Sequence, residues 1–136
     1  KGFATVRLTA ASPGGHSSMP PKDTAASLLA RAVAAVHDAP RPASLSGPAG
    51  LTIDAAGPET SLPIRIVFAN RDLLEPVLLK VYEGVPSLAA LSRTTTAATV
   101  LRAGEAANVL PATAEALINF RLVPGDTPEL VLRHVG

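Results

Sequence analysis

The stretch Thr113-Ala114-Glu115-Ala116-Leu117-Ile118-Asn119-Phe120-Arg121-Leu122, followed by Val123-Pro124-Gly125-Asp126, decides the fold. Ala114, Ala116, Ile118, Phe120 and Leu122 alternate with Thr113, Glu115, Leu117, Asn119 and Arg121. That period of two is the signature of a strand with one buried face. Pro124-Gly125-Asp126 turns the chain, Thr127 can cap, and Pro128 opens a final helix at a position where its missing N–H costs nothing. Upstream, Ala4, Val6, Leu8 and Ala10 alternate with Phe3, Thr5, Arg7 and Thr9 in a first strand that ends at Ser12-Pro13-Gly14-Gly15. Thr94–Arg102 is rich in Thr and Val and reads as another strand. Between them, Asp23 or Thr24 caps a helix whose Ala25, Leu28, Leu29, Ala32, Val33 and Val36 recur at helical spacing, ending near His37 before Pro40 and Pro42. The order of strand, helix, strand, strand, helix predicts an α+β fold. It is a ferredoxin-like split βαβ sandwich, an antiparallel sheet with helices on one face, lacking its last strand.

An insertion at about residues 40–92 interrupts this plan. Its first part, 40–60, is dense in Pro, Gly, Ala and Ser and reads as an irregular excursion. Residues 62–92 read as short helices. Leu73, Leu74, Val77, Leu78 and Val81 form an apolar stripe, with Pro76 expected in a first turn or at a kink. Such a stripe needs a covering surface, either the domain's own sheet or another subunit. Asn108-Val109-Leu110-Pro111 reads as a second irregular segment.

The 136 residues fit one domain, with 47% apolar residues but only 3% aromatic, so Ala, Val, Leu and Ile must build the core. Lys plus Arg number 12 and Asp plus Glu 11, giving a net charge of +1. That balance, with no basic stripe or aromatic platform, argues against a nucleic-acid partner. No window reaches the roughly 18–20 apolar residues that span a bilayer, so no membrane partner is expected and no targeting segment is seen. The compartment stays unknown. Zero Cys excludes disulfides and thiolate zinc sites, and the three His lack the His-x-x-x-His or His-x-Asp spacing of a metal centre. The Lys1-Gly2-Phe3 start and the stop at Gly136 are those expected of a piece of a longer chain.

Four residues could carry chemistry. His16, in Gly14-Gly15-His16-Ser17-Ser18, could donate a hydrogen bond to a developing oxyanion or accept a proton; equally it could satisfy loop carbonyls. Gly15 could let a ligand approach the backbone. Asn108 could read a substrate carbonyl or amine, or bond its own turn. Arg121 offers a bidentate fork to a carboxylate, or a cross-strand partner for Glu115 or Glu105. No Gly-x-Ser-x-Gly elbow and no spaced acid supports Ser17 or Ser18 as a nucleophile. His37-Asp38 and His134 read as solvent-facing residues near helix ends.

Three segments, Leu8 through Pro20, Arg93 through Ala97, and Asn108-Val109-Leu110-Pro111 through Asp126, together resemble the dimerisation (lid) domain of the di-zinc exopeptidases and amidohydrolases. That group includes carboxypeptidase S, glutamate carboxypeptidase, aminoacylases and succinyl-diaminopimelate desuccinylase. Gly14-Gly15-His16-Ser17-Ser18-Met19-Pro20-Pro21 and the long insertion resemble the carboxypeptidase S branch. The resemblance implies a single lid domain excised from a two-domain zinc metallopeptidase that hydrolyses a peptide or N-acyl amino acid. It implies a homodimer paired through this domain, and two zinc ions in an absent catalytic domain, with no metal and no activity in this chain alone. It implies that His16 stabilises the oxyanion in the partner subunit's active site, while Asn108, Arg121 and Gly15 bind substrate. The other reading is a stand-alone α+β module that binds a small ligand or dimerises, with no catalytic role.

Overall fold

A computed structural model describes residues 2–136; Lys1 lies outside the described residues. The chain divides into two compact units. The first holds Phe3–Pro40, Thr96–Phe120 and Pro128–Gly136; the second holds Gly2, Arg41–Thr95 and Arg121–Thr127.

In the first unit, β1 (Gly2–Ala11), β3 (Thr95–Ala103) and β5 (Thr113–Leu122) form an antiparallel sheet in the order β1-β5-β3. The fold is α+β, as the alternation predicts. Along β5, Ala114, Ala116, Ile118, Phe120 and Leu122 are all buried while the intervening residues are not. Its alternation is the cleanest in the sequence because it is the central strand, with a neighbour on each side. The edge strands show weaker patterns: Ala4, Val6, Leu8 and Ala10 of β1 are only half-buried, and most of β3 is exposed.

α1 (Ala25–Asp38) lies against this sheet, where Ala25 and Leu29 bury with Ala114 and Ala116 and with Leu8, Ala10 and Val33 around them. Small Ala side chains on both surfaces let helix and sheet approach closely, so this cluster closes without an aromatic side chain. Full burial of Leu29 contributes about 2 kcal/mol. Thr24, not Asp23, is the cap: its Oγ1 accepts from Ser27 N–H at 3.1 Å, and Ser27 Oγ accepts from Thr24 N–H at 2.9 Å. Ser12 Oγ, just past β1, accepts the Ala25 N–H at 2.8 Å and ties the strand's end to the helix's start. At the other end His134 of α6 (Pro128–Val135) does not simply face water. Its Nε2–H donates to the Ala39 carbonyl at 2.6 Å, satisfying a group that α1 leaves without an intrahelical partner.

The second unit is mostly helical. The 40–60 segment is not irregular throughout: α2 spans Pro48–Ala56, followed by a single 3-10 turn at Gly57–Glu59. The prolines that look like breakers are starters, with Pro48 and Pro86 opening α2 and α5 (Pro86–Ser92), and Pro63 second in α3 (Leu62–Ala69). Pro76 sits in the interior of α4 (Arg71–Glu83), beyond the first turn. Leu45, Ala49, Ile53, Leu78 and Tyr82 form a core with Val67, Phe68, Leu74, Leu79, Leu88 and Leu91 packed around it. The apolar stripe of α4 is therefore split. Leu74, Leu78 and Tyr82 turn inward onto neighbouring helices, whereas Leu73, Val77 and Val81 are exposed. No helix among the described residues is long and apolar enough to cross a membrane.

Candidate functional site

The loop after β1 is zipped to the segment before β5. β2 (Gly15–His16) pairs antiparallel with β4 (Val109–Leu110), Gly15 opposite Leu110 and His16 opposite Val109. Ser12 N–H donates to the Ala112 carbonyl at 3.0 Å on one side, and Ser17 N–H to the Asn108 carbonyl at 3.1 Å on the other. The 108–111 segment is thus not irregular throughout, as its composition suggested; Val109 and Leu110 form half of a two-stranded ribbon, with Asn108 in the turn before it. This ribbon places His16, Gly15 and Asn108 side by side on an exposed surface.

The two glycines differ. A Cβ on Gly14 would meet the Leu110 carbonyl oxygen at 3.1 Å, so the close crossing of the two segments needs a residue with no side chain there. A Cβ on Gly15 would meet nothing within 4 Å, and no positive φ is recorded for it. The fold needs Gly14; the open space beside Gly15 is unused by the fold.

His16 is exposed but not loose. Its Nδ1 accepts a hydrogen bond from Ser18 N–H at 3.2 Å, and Ser18 Oγ lies 2.9 Å from the same nitrogen. Met19 N–H donates to the His16 carbonyl at 3.2 Å, folding Ser17–Met19 around the ring. Because a backbone N–H can only donate, Nδ1 carries the lone pair, and the neutral ring holds its proton on Nε2. The imidazole therefore presents an N–H donor at its far end. Sequence reasoning sought an acidic orienting group and missed Ser18; the signal available was its position two residues on, where a bent loop returns both its amide and its hydroxyl to the ring.

Asn108 contributes its backbone carbonyl to the ribbon, and the residue is exposed beside His16. Arg121 belongs to the other compact unit, at the end of β5, an exposed residue between buried Phe120 and Leu122. Glu115, considered as its partner, lies 3.8 Å from Arg7 and 3.5 Å from Arg102. Among the described residues no group of three or more His, Cys, Asp or Glu side chains could hold a metal ion. The described residues therefore do not assemble the donor set of a di-zinc centre.

The family model described as the peptidase dimerisation domain matches residues 1–135, and the chain belongs to that family. It is 44% identical to a probable carboxypeptidase S-like protein of Dictyostelium discoideum over 100% of this chain and 26% of that protein. It is 38% identical to the human N-fatty-acyl-amino acid synthase/hydrolase over 97% of this chain and 26% of that protein. The Xenopus tropicalis counterpart is 40% identical over the same shares. The chain thus spans about a quarter of the length of these relatives.

Proposed function

We propose that this chain is the lid and dimerisation domain of a zinc-dependent exopeptidase or N-acyl-amino-acid amidohydrolase, and that it lends His16 to the partner subunit's active site. The observation that carries the reading is the hydrogen bond from Ser18 N–H to His16 Nδ1. Held through Nδ1, the ring offers a fixed Nε2–H to an oxygen on which negative charge develops when an amide carbonyl becomes tetrahedral. A donor that is already oriented stabilises that transition state more than the ground state. Two zinc ions, when bound by the rest of the protein, would activate the attacking water. This chain's own residues bind and orient.

Arg121 is assigned the substrate carboxylate. The relatives are named as a carboxypeptidase S-like protein and as N-fatty-acyl-amino acid synthase/hydrolases; a carboxypeptidase substrate and an N-acyl amino acid both end in a free carboxylate. A guanidinium fork matches that group in charge and geometry. Asn108, beside His16, is assigned a substrate amide contact, and the space beside Gly15 leaves room for a ligand.

The strand order β1-β5-β3 is that of the first three strands of a ferredoxin-like sandwich, with the outer edge of β1 as the place of a fourth. The homodimer forms on the opposite edge. There an apolar groove of about 630 Å³ runs between α1 and edge strand β3, lined by Ala26, Ala30 and Ala34 on the helix and Thr96, Ala98 and Leu101 on the strand. Its occupant is a second copy of this chain, as the dimerisation family's description supports. Small residues and an unpaired strand edge favour close approach of another backbone.

The test is His16→Ala in the full-length protein. The expected result is a fall in kcat of about 100-fold or more with the melting temperature unchanged, because the ring is exposed. An unchanged kcat, or a loss explained by unfolding, would show that His16 is structural.

A further inference from the structure

In the second unit a polar cluster around the buried Thr94 grips the chain two residues beyond Arg121. Val123-Pro124-Gly125-Asp126 forms a type II turn: Asp126 N–H donates to the Val123 carbonyl at 3.1 Å, Pro124 takes the second position, and Gly125 takes the third with φ +101°. Thr94, only 2% exposed, bridges the two ends of this turn. Its Oγ1 accepts from Val123 N–H at 3.1 Å and donates to Asp126 Oδ2 at 2.6 Å. Asp126 Oδ1 accepts from Arg41 Nη2 at 3.3 Å, so both carboxylate oxygens are engaged.

A Pro-Gly turn ends a strand unaided, and a valine would fill the volume of Thr94. Burying a hydroxyl and partly burying a carboxylate and a guanidinium instead carries a desolvation cost that burial of apolar groups avoids. What the cluster adds is direction. The Val123 amide is the first beyond β5, where a backbone donor loses its ladder partner and the strand would fray. Pinning it to Thr94 fixes the last residues of β5, Arg121 among them. The Arg41 pair also offsets the Asp126 charge, which would otherwise oppose an anion bound nearby.

We infer that Thr94 and Asp126 are positioning residues for Arg121: their hydrogen bonds set the direction in which its guanidinium leaves β5, and so the preference for substrates with a free carboxylate. This rests on the reading of Arg121 as the carboxylate's partner.

The experiment uses the full-length protein with N-dodecanoyl-leucine and its α-carboxamide as paired substrates. Thr94→Val should raise KM for the carboxylate substrate about 10-fold, with kcat within about 2-fold and the carboxamide KM unchanged. Thr94→Ser, which keeps the hydroxyl, should restore wild-type values. In an Arg121→Ala background Thr94→Val should add nothing to the carboxylate KM, the coupling expected of residues that act through one another. If Thr94→Val does not yield folded protein, Arg41→Met frees one Asp126 oxygen and should give a smaller rise of the same selectivity. Equal KM rises on both substrates, failure of Ser to rescue, or additive effects with Arg121→Ala would overturn the inference. The underlying reading fails separately: it falls if Arg121→Ala alone weakens both substrates equally.

Discussion

Replacing Ser18 with Ala isolates the orientation of His16 from its presence. The substitution removes the Oγ that lies 2.9 Å from Nδ1 and leaves the backbone N–H bond at 3.2 Å in place. A hydrogen bond of this kind is worth about 0.5–1.5 kcal/mol net. If that energy holds the ring where the oxyanion forms, its loss appears in the transition state, and about 1.4 kcal/mol is a tenfold change in rate. The expected fall in kcat for the full-length protein is therefore about 2- to 12-fold, well short of the loss from deleting the ring. Both Ser18 and His16 are exposed, so stability should stay within about 0.5 kcal/mol. Ser18→Thr keeps a hydroxyl and should recover most of the rate. Steady-state kinetics on an N-acyl amino acid, paired with thermal unfolding, gives both numbers. A Ser18→Ala protein with wild-type kcat would refute the reasoning, as would one whose melting temperature falls in step with its activity.

Gly15→Ala should leave the melting temperature unchanged, since a Cβ there meets nothing within 4 Å, yet lower kcat/KM in the full-length protein by crowding the space beside His16; Gly14→Ala, whose Cβ meets a carbonyl at 3.1 Å, should destabilise measurably in unfolding experiments. Ala30→Glu, on the exposed side of α1 lining the groove, should weaken dimerisation about 100-fold or more by burying an unpaired charge, read by sedimentation equilibrium; Ala35→Glu, exposed on α1 but outside that lining, should not. Burial pushes the Tyr82 phenol above its ordinary value. The unfolded chain then ionises first, near pH 10, so Tyr82's contribution is intact below that pH and lost as pH rises through the folded-state value. Denaturant titrations from pH 8 to 11.5 should show this loss in the wild type and a flatter profile in Tyr82→Phe.

Where one face of an element is buried over its whole length, the amino-acid sequence declared it. β5 and α1 each repeat their apolar residues at a single period; the structure buries the whole β5 set and Ala25, Leu29 and Val36 of α1, with Leu28 and Val33 half-buried and Ala32 exposed. The insertion was harder to read because the cues conflict. Pro48, Gly50 and the surrounding Ser and Gly suggest loop, yet Pro48 begins α2, and Ala49, Gly50 and Ile53 are its buried residues. In α4 the apolar residues cover more of the helix than its neighbours do, so the stripe's need for a cover was legible but not which part of it is met: Leu74, Leu78, Leu79 and Tyr82 pack on the core while Leu73, Val77 and Val81 are exposed. The ribbon that joins His16 to Asn108 has two residues in each strand, too few for any period to show. Its partners are more than ninety positions apart in the chain, and only the ladder of hydrogen bonds brings them together. The residue types at the candidate site were legible from the motifs; the ring's tautomer was not, because it depends on where the Ser18 amide points.

The central claim, that one subunit's His16 serves the other's active site, is tested most directly by subunit complementation. Two full-length variants are co-expressed: one carries His16→Ala, and the other has the metal-binding residues of its catalytic domain removed while His16 stays intact. Each alone should be nearly inactive. If His16 acts across the dimer, each mixed dimer regains one working site, and random pairing returns about a quarter of wild-type activity. If the co-expressed pair remains as inactive as the separate variants while mixed dimers are shown to form, His16 does not serve the partner subunit and the account is contradicted.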